Sequence, residues 1–280
     1  MNMTIKTISL IGVVILCGAF VMQAKNPFAK SEDAGVKIIE KWDLPDVLKE
    51  VSGIASIDDT HFACVQDEVG SIFIYNTATK SIQNEIPFGG PGDYEGITLV
   101  NNNVWVLRAD GNLFEVETAD SKKTGVKEYN TPLTAKQNVE GLCYDKANNR
   151  LLLAIKNGEP GGKSYKGVYA FDLASKTMAA EPVFKIESRQ NVSGSRKGIV
   201  EVMPSAIAIH PKTKDMYITD GRNSILLILS SSGVVKNTFQ LSPKDFNQPE
   251  GITFQSDGEM YISNEGTKEP GNILKVETGE

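Results

Sequence analysis

Five times the chain repeats one phrase: a Glu or Ser, a Gly-Ile or close variant, a short hairpin, then a second apolar run. The copies read VSGIASIDDTHFACVQD, YEGITLVNNNVWVLRAD, VEGLCYDKANNRLLLAIKN, PSAIAIHPKTKDMYITD and PEGITFQSDGEMYISNE. Their small residues fall at Gly53, Gly96, Gly141, Ala206 and Gly251, at intervals of 43, 45, 65 and 45 residues. A period of about 40 to 50 residues filled by four short strands is the signature of a propeller blade. The second copy shows the four strands in full as GITLV, VWVLRA, NLFEVE and GVKEYNT, and no stretch of useful length in the body follows a helical period. The one modest helical candidate is PDVLKEV, just before the first repeat.

The 65-residue interval is long enough to hide a sixth blade. It does not read that way. Repeat three supplies its strands in order as GLCYD, LLLAIK, GVYAFDL and PVFKIES, and the surplus lies in NGEPGGKSYK and RQNVSGSRKG. Both are rich in Gly, Ser and Lys and read as loops. The last repeat offers only three strands, whereas GVKIIEKWDL before the first repeat belongs to no blade. Residues from about Val36 to Leu44 are therefore expected to complete the last blade and close the ring, leaving no open edge. The expectation is an all-β, five-bladed β-propeller over residues 36–280, preceded by a linker over 25–35.

Residues 1–24 differ from the rest. Lys6, an apolar run from Ile8 to Met22 and Ala24 have the layout of a secretory signal. The run is short for a membrane span of about 20 residues, and Met22 is a poor residue three places before a cut. Both a cleaved signal peptide and an uncleaved membrane anchor stay open, and the protein is expected to be exported, either periplasmic or held at the cell membrane. Cys64 and Cys143 sit in strand-like runs of different repeats and read as buried thiols rather than metal ligands. Net charge is −6 with no basic run, so phosphate-led binding of nucleic acid has no support. A monomer is expected.

Function is sought in the acids. In a propeller the inner strand runs antiparallel to the second, so the start of the first and the end of the second share one face. Before the small residue stand Ser52, Glu95, Glu140, Ser205 and Glu250. Fourteen positions after it stand Asp67, Asp110, Asp220 and Glu265, with Asn157 taken as the match in repeat three. Carboxylates gathered at one mouth raise one another's pKa unless a cation is present, and calcium takes six to eight oxygen ligands of this kind. The metal candidates are therefore Glu95, Glu140, Glu250, Asp220, Glu265 and Asp67, with calcium as the expected ion. Arg108, Asp110, Asn157 and Arg222 are candidates for holding a ligand. Arg108, Lys156 and Arg222 also lie near enough to neutralise part of the ring. Asp-Gly at 110–111 and 220–221 is equally ordinary turn chemistry. His61 and His210 both fall in the hairpin at the opposite face, which leaves no nucleophile with a base at the mouth and no catalytic residue to name.

The serial order S-G-I, E-G-I, E-G-L, S-A-I, E-G-I, each followed by a hairpin and a strand ending in an acid or amide, resembles the SdiA-regulated, YjiK-like proteins. The resemblance covers about Val36 to the C-terminus. It implies a five-bladed propeller distantly related to NHL-repeat proteins, exported or held at the bacterial inner membrane, with a calcium site. Glu95, Glu140 and Glu250 match its motif carboxylates. The function expected is a calcium-associated binding module of the cell envelope for an unidentified small molecule or protein partner. The alternative is a metal-dependent hydrolase, lactonase- or phytase-like, in which the ion lowers the pKa of a bound water and a Glu such as Glu250 acts as base.

Overall fold

The computed structural model describes residues 35–117, 125–159, 161–195 and 198–279. The leader expected over 1–24 and the linker up to residue 34 lie outside the described residues. After β1 (Val36–Asp43), blade 1 consists of β2 (Val51–Ser56), β3 (His61–Gln66), β4 (Ser71–Asn76) and β5 (Ser81–Pro87). Blade 2 consists of β6 (Tyr94–Val100), β7 (Asn103–Arg108), β8 (Leu113–Glu117) and β9 (Gly125–Tyr129). In blade 3, β10 (Val139–Asp145), β11 (Arg150–Ile155) and β12 (Tyr165–Asp172) are followed by two short strands that share β12 as partner, β13 (Thr177–Met178) and β14 (Phe184–Glu187). A small hairpin of β15 (Arg189–Asn191) and β16 (Ile199–Glu201) comes next. Blade 4 consists of β17 (Ala206–Ile209), β18 (Met216–Asp220), β19 (Ile225–Leu229) and β20 (Val235–Gln240). Blade 5 consists of β21 (Pro249–Phe254), β22 (Met260–Asn264) and β23 (Asn272–Thr278), and β1 pairs antiparallel with β23 from Val36↔Thr278 to Asp43↔Asn272.

The innermost strands touch in the cyclic order β2, β6, β10, β17, β21 and back to β2. Among the described residues no single core fills the middle. Five apolar clusters lie instead one between each pair of successive blades. Ile97, Val104 and Phe114 meet Ala55 and Ile72 between blades 1 and 2, for example, and Cys143 and Leu152 meet Ile207 and Ile218 between blades 3 and 4. Inner strands are apolar on both faces because each face packs on a different neighbour. The outer strands β5 and β9 turn one face to water and carry the polar residues.

Two local expectations are corrected. The stretch RQNVSGSRKG is not wholly loop, because Arg189–Asn191 forms β15 and pairs with Ile199–Glu201; alternation there is too short to stand out from its Gly and Ser. PDVLKEV makes only a three-residue 3-10 turn, Asp46–Leu48, which buries Leu48 before β2 begins. Cys64 and Cys143 are buried free thiols, as their apolar settings suggested. Among the described residues no helix is long and apolar enough to cross a membrane.

Candidate binding site at the propeller mouth

The Glu of the motif owes its placing to a break in strand register. In blade 2, Tyr94 faces Arg108 while Gly96 faces Leu107, which leaves Glu95 as one residue too many. Glu140 is the surplus residue between Val139↔Ile155 and Gly141↔Ala154, and Glu250 between Pro249↔Asn264 and Gly251↔Ser263. Each acid is thus the extra residue of a β-bulge, a device that bends its strand and re-aims a side chain.

The glycine that follows is needed for close approach. A Cβ on Gly96 would meet Leu142 Cβ at 2.7 Å and the Glu140 carbonyl at 3.0 Å in the next blade. One on Gly251 would meet the Ser52 carbonyl at 2.8 Å and Ile54 N at 3.0 Å, across the junction between the last blade and the first. One residue deeper, Ile54, Ile97, Leu142, Ile207 and Ile252 are all buried. They help to line a cavity of about 160 Å³ bounded by inner strands from all five blades.

At the mouth, Glu140 is 2% exposed and Glu250 6% exposed. Asn138 Nδ2 donates to Glu140 Oε1 at 2.6 Å, and Lys156 Nζ lies 2.7 Å from Glu140 Oε2. Lys156 is itself held from below: buried Lys166 donates from Nζ to the Lys156 carbonyl at 2.9 Å and also reaches Glu201. Glu250 Oε2 is buried and has no hydrogen-bond partner.

The carboxyls feel one another. Loss of water, then Glu140, Asp93 and Glu250, push Glu95 well above the usual carboxylate range. Burial and then Glu250 push Glu140 up to about 8 against the pull of Lys156. Burial also pushes Glu250 up to about 7, opposed by Lys156 and reinforced by Glu265 and Asp220. Burial works against the charge of Lys156, but Glu250, Glu140 and Glu95 more than offset it and raise its pKa. The lysine is therefore the cation of the cluster, and it is outnumbered.

The strand-end acids divide. Asp67 and Glu265 join the mouth: burial, then Glu50 and Glu68, raise Asp67 to about 6, and burial followed by Asp67 and Glu50 raises Glu265. Gln248 donates to Glu265, and Asp67 Oδ1 is buried without a partner. Asp220, fully buried, is a turn residue. Its Oδ1 accepts from Asn223 N at 2.9 Å, and its Oδ2 accepts from Met203 N at 2.9 Å and Asn223 Nδ2 at 2.8 Å. Ser205 donates to the Pro249 carbonyl at 2.6 Å, a cross-blade bond that explains a serine there.

The strand-end matches slip by one residue in two blades. The backbone N–H groups of Ala109, Lys156 and Glu265 donate in the same way to the carbonyls of Asp93, Asn138 and Gln248. Lys156, not Asn157, therefore holds the strand-end position of blade 3, and Asp110 lies one residue beyond that of blade 2. Asp110 turns to Arg108, whose Nη2 lies 2.9 Å from it and 3.2 Å from Glu128 on the outer strand. Arg222 is exposed and meets Met203 Sδ at 3.4 Å. Of the three cations expected to neutralise the ring, only Lys156 stands in it. Glu50, Asp93 and Gln248 belong to the mouth and were not singled out by the motif; Asp93 and Gln248 were legible as the residues two before the bulged Glu.

Calcium is tested by this arrangement. Carboxylate oxygens suit it, and Glu250 Oε2 lacks a donor. Against it, an ammonium already sits on Glu140, and among the described residues no three His, Cys, Asp or Glu are grouped so as to hold a metal ion. The residues as arranged do not close around an ion.

Fold and site together define a five-bladed propeller with a buried, lysine-bearing acidic mouth. A family model described as SdiA-regulated matches residues 30–270, and the chain belongs to that family. No curated protein matches it. Among solved structures it is similar to glutaminyl cyclase of Myxococcus xanthus, with a TM-score of 0.61 at 14% identity over 87% of this chain and 96% of that one. It is also similar to a PQQ-bound aldose sugar dehydrogenase from Streptomyces coelicolor, with a TM-score of 0.54 at 13% identity over 87% and 98% of the two chains. A streptogramin B lyase gives a TM-score of 0.50 at 15% identity, over 86% and 98%. At such identities the likeness is one of fold alone.

Proposed function

We propose that this chain is an exported binding module of the cell envelope whose acidic mouth receives a positively charged group of a small molecule or protein partner. The observation that carries this is the Glu250 carboxylate: 6% exposed, with Oε2 buried and unpartnered, beside two further glutamates and one lysine. A buried carboxylate oxygen without a donor is costly unless something arrives to meet it. The leader-like segment over 1–24 supports export. Calcium was the expected occupant; because the residues do not close around an ion, no chemistry is routed through it. The hydrolase alternative needs that ion to activate water, and no observation favours it.

Thermal melting against a panel of calcium, magnesium, alkylamines and guanidinium compounds tests the reading. A ligand that binds only the folded state raises Tm by mass action. The expected result is a rise with at least one cation that disappears in the Glu95→Gln/Glu250→Gln double variant. A flat response to the whole panel would refute it.

A further inference from the structure

The mouth already contains a cation, and its chemical type is informative. Lys156 presents a primary ammonium to Glu140 at 2.7 Å, and its backbone is fixed by the buried Lys166. Asn138 donates to the other oxygen of Glu140, so each oxygen of that carboxylate faces a polar group, the Lys156 contact being an ion pair and not an aligned hydrogen bond. Glu250 is in a different condition. It senses Lys156 and stands close against Gly221, where a Cβ would meet its Oε1 at 2.5 Å, and its Oε2 has no partner. Glu265 and Asp67 continue the negative field toward blades 5 and 1, and Asp67 Oδ1 is also without a donor. One ammonium thus faces two buried glutamates and the half-buried Glu95, and it leaves Glu250 Oε2 without a hydrogen bond.

Size and directionality decide what can meet them. A calcium ion draws six to eight oxygens to about 2.3–2.6 Å, and the acids here are not grouped for that. An ammonium or guanidinium spreads its charge over several directed N–H donors and reaches acceptors that stand apart. We infer that the mouth is a site for an organic cation, a primary amine or guanidinium that enters beside Lys156 and donates to Glu250, and that it is not a site for a bare metal ion. This rests on the reading of the mouth as a cation site and narrows it. Lys156 acts as the resident counter-ion: it settles Glu140, leaves Glu250 unmet and holds the place where a metal would otherwise draw the glutamates together.

The test is isothermal titration of the intact protein at pH 8 with calcium chloride, 1,4-diaminobutane and agmatine, with thermal melts in parallel. Saturable binding and a raised Tm are expected for the two amines and not for calcium. Glu250→Gln should weaken amine binding about tenfold or more, the loss of one charge-assisted hydrogen bond. Lys156→Gln, which removes the resident ammonium and deepens the negative field, should bind the amines more tightly. Amine affinity unchanged in Glu250→Gln would overturn the inference. So would calcium binding that is lost in Glu250→Gln while the amines stay silent, although the broader reading of a cation site would survive it. Silence from calcium and from amines alike would remove both. Because Gln preserves the shape of Glu, a folded variant is expected, and competition of diaminobutane by calcium on wild type gives a readout free of any substitution.

Discussion

Two acids at the same end of this propeller, Asp220 and Glu250, have opposite fates. The strand-end acid Asp220 is met by three hydrogen bonds from its own turn and its neighbour Met203. The bulge acid Glu250, as deeply placed, keeps an oxygen that nothing meets. Burial alone therefore does not mark a functional carboxylate. What separates them is the local backbone. At Asp220 the turn after the strand folds its N–H groups back onto the side chain, whereas at Glu250 the bulge throws the side chain off the ladder and leaves Oε2 without a backbone donor. Blade 3 stands between the two cases, because Glu140 takes a hydrogen bond from Asn138 just ahead of its own strand and an ion pair from Lys156 at the strand-end position.

The largest expected effect comes from breaking that compensation. Lys156→Ala leaves buried carboxylates without their cation and should destabilise the fold by about 3–5 kcal/mol at pH 8. The cost should shrink sharply at pH 5, where groups raised to about 7 and about 8 are already protonated. Chemical denaturation at the two pH values checks this. An equal loss at both would mean that Lys156 acts by packing alone.

Gly96→Ala probes the backbone that aims the bulge. The added Cβ would press on Leu142 and on the Glu140 carbonyl of the next blade, and forcing the inner strands apart should cost about 1–3 kcal/mol. Urea denaturation measures it. A neutral result would mean that the strands have slack and that the glycine is not required for their approach.

The same amide swap should have opposite signs at Glu250 and Asp220. Folding raises Glu250 from 4.5 to about 7. The folded state therefore holds a proton that the unfolded chain has released, and wild-type stability falls as pH rises through that window. Glu250→Gln should then gain about 1–3 kcal/mol at pH 8 and almost nothing at pH 5. Asp220→Asn turns an NH2 toward donors and should lose about 1–3 kcal/mol instead. Melts across pH 5 to 8 read both variants. If both destabilise, Glu250 has partners that make it a structural acid like Asp220.

This contrast also marks where the sequence stops being informative. Blade number follows from the spacing of Gly53, Gly96, Gly141, Ala206 and Gly251, and the inner strands are recognisable because both of their faces are apolar. The convergence of Glu95, Glu140 and Glu250 follows from their common place in the repeat. The bulges were not legible, since register belongs to a pair of strands and not to either one. Nor was the exchange of Lys156 for Asn157. Asn157 allows two extra residues for the longer hairpin of blade 3, which contains the 3-10 turn Lys146–Asn148, where the pairing has room for one, and the shorter hairpin of blade 2 brings its strand end one residue before the count of fourteen.

That slip accounts for the smallest expected effect. Arg108 and Asp110, counted toward the mouth, form a partly exposed network with Glu128, with the guanidinium 5.1 Å from the centre of the Phe114 ring. Exposed pairs of this kind are worth about 0–1 kcal/mol and weaken with salt. Arg108→Gln should therefore lower stability by less than about 1 kcal/mol, lose part of that difference in high salt, and leave amine binding at the mouth unchanged. Titration of diaminobutane into this variant separates the rim from the mouth. A marked loss of affinity would place Arg108 in the electrostatics of the ring, and the line drawn between satisfied and unmet charge would have to move outward to include blade 2's strand end.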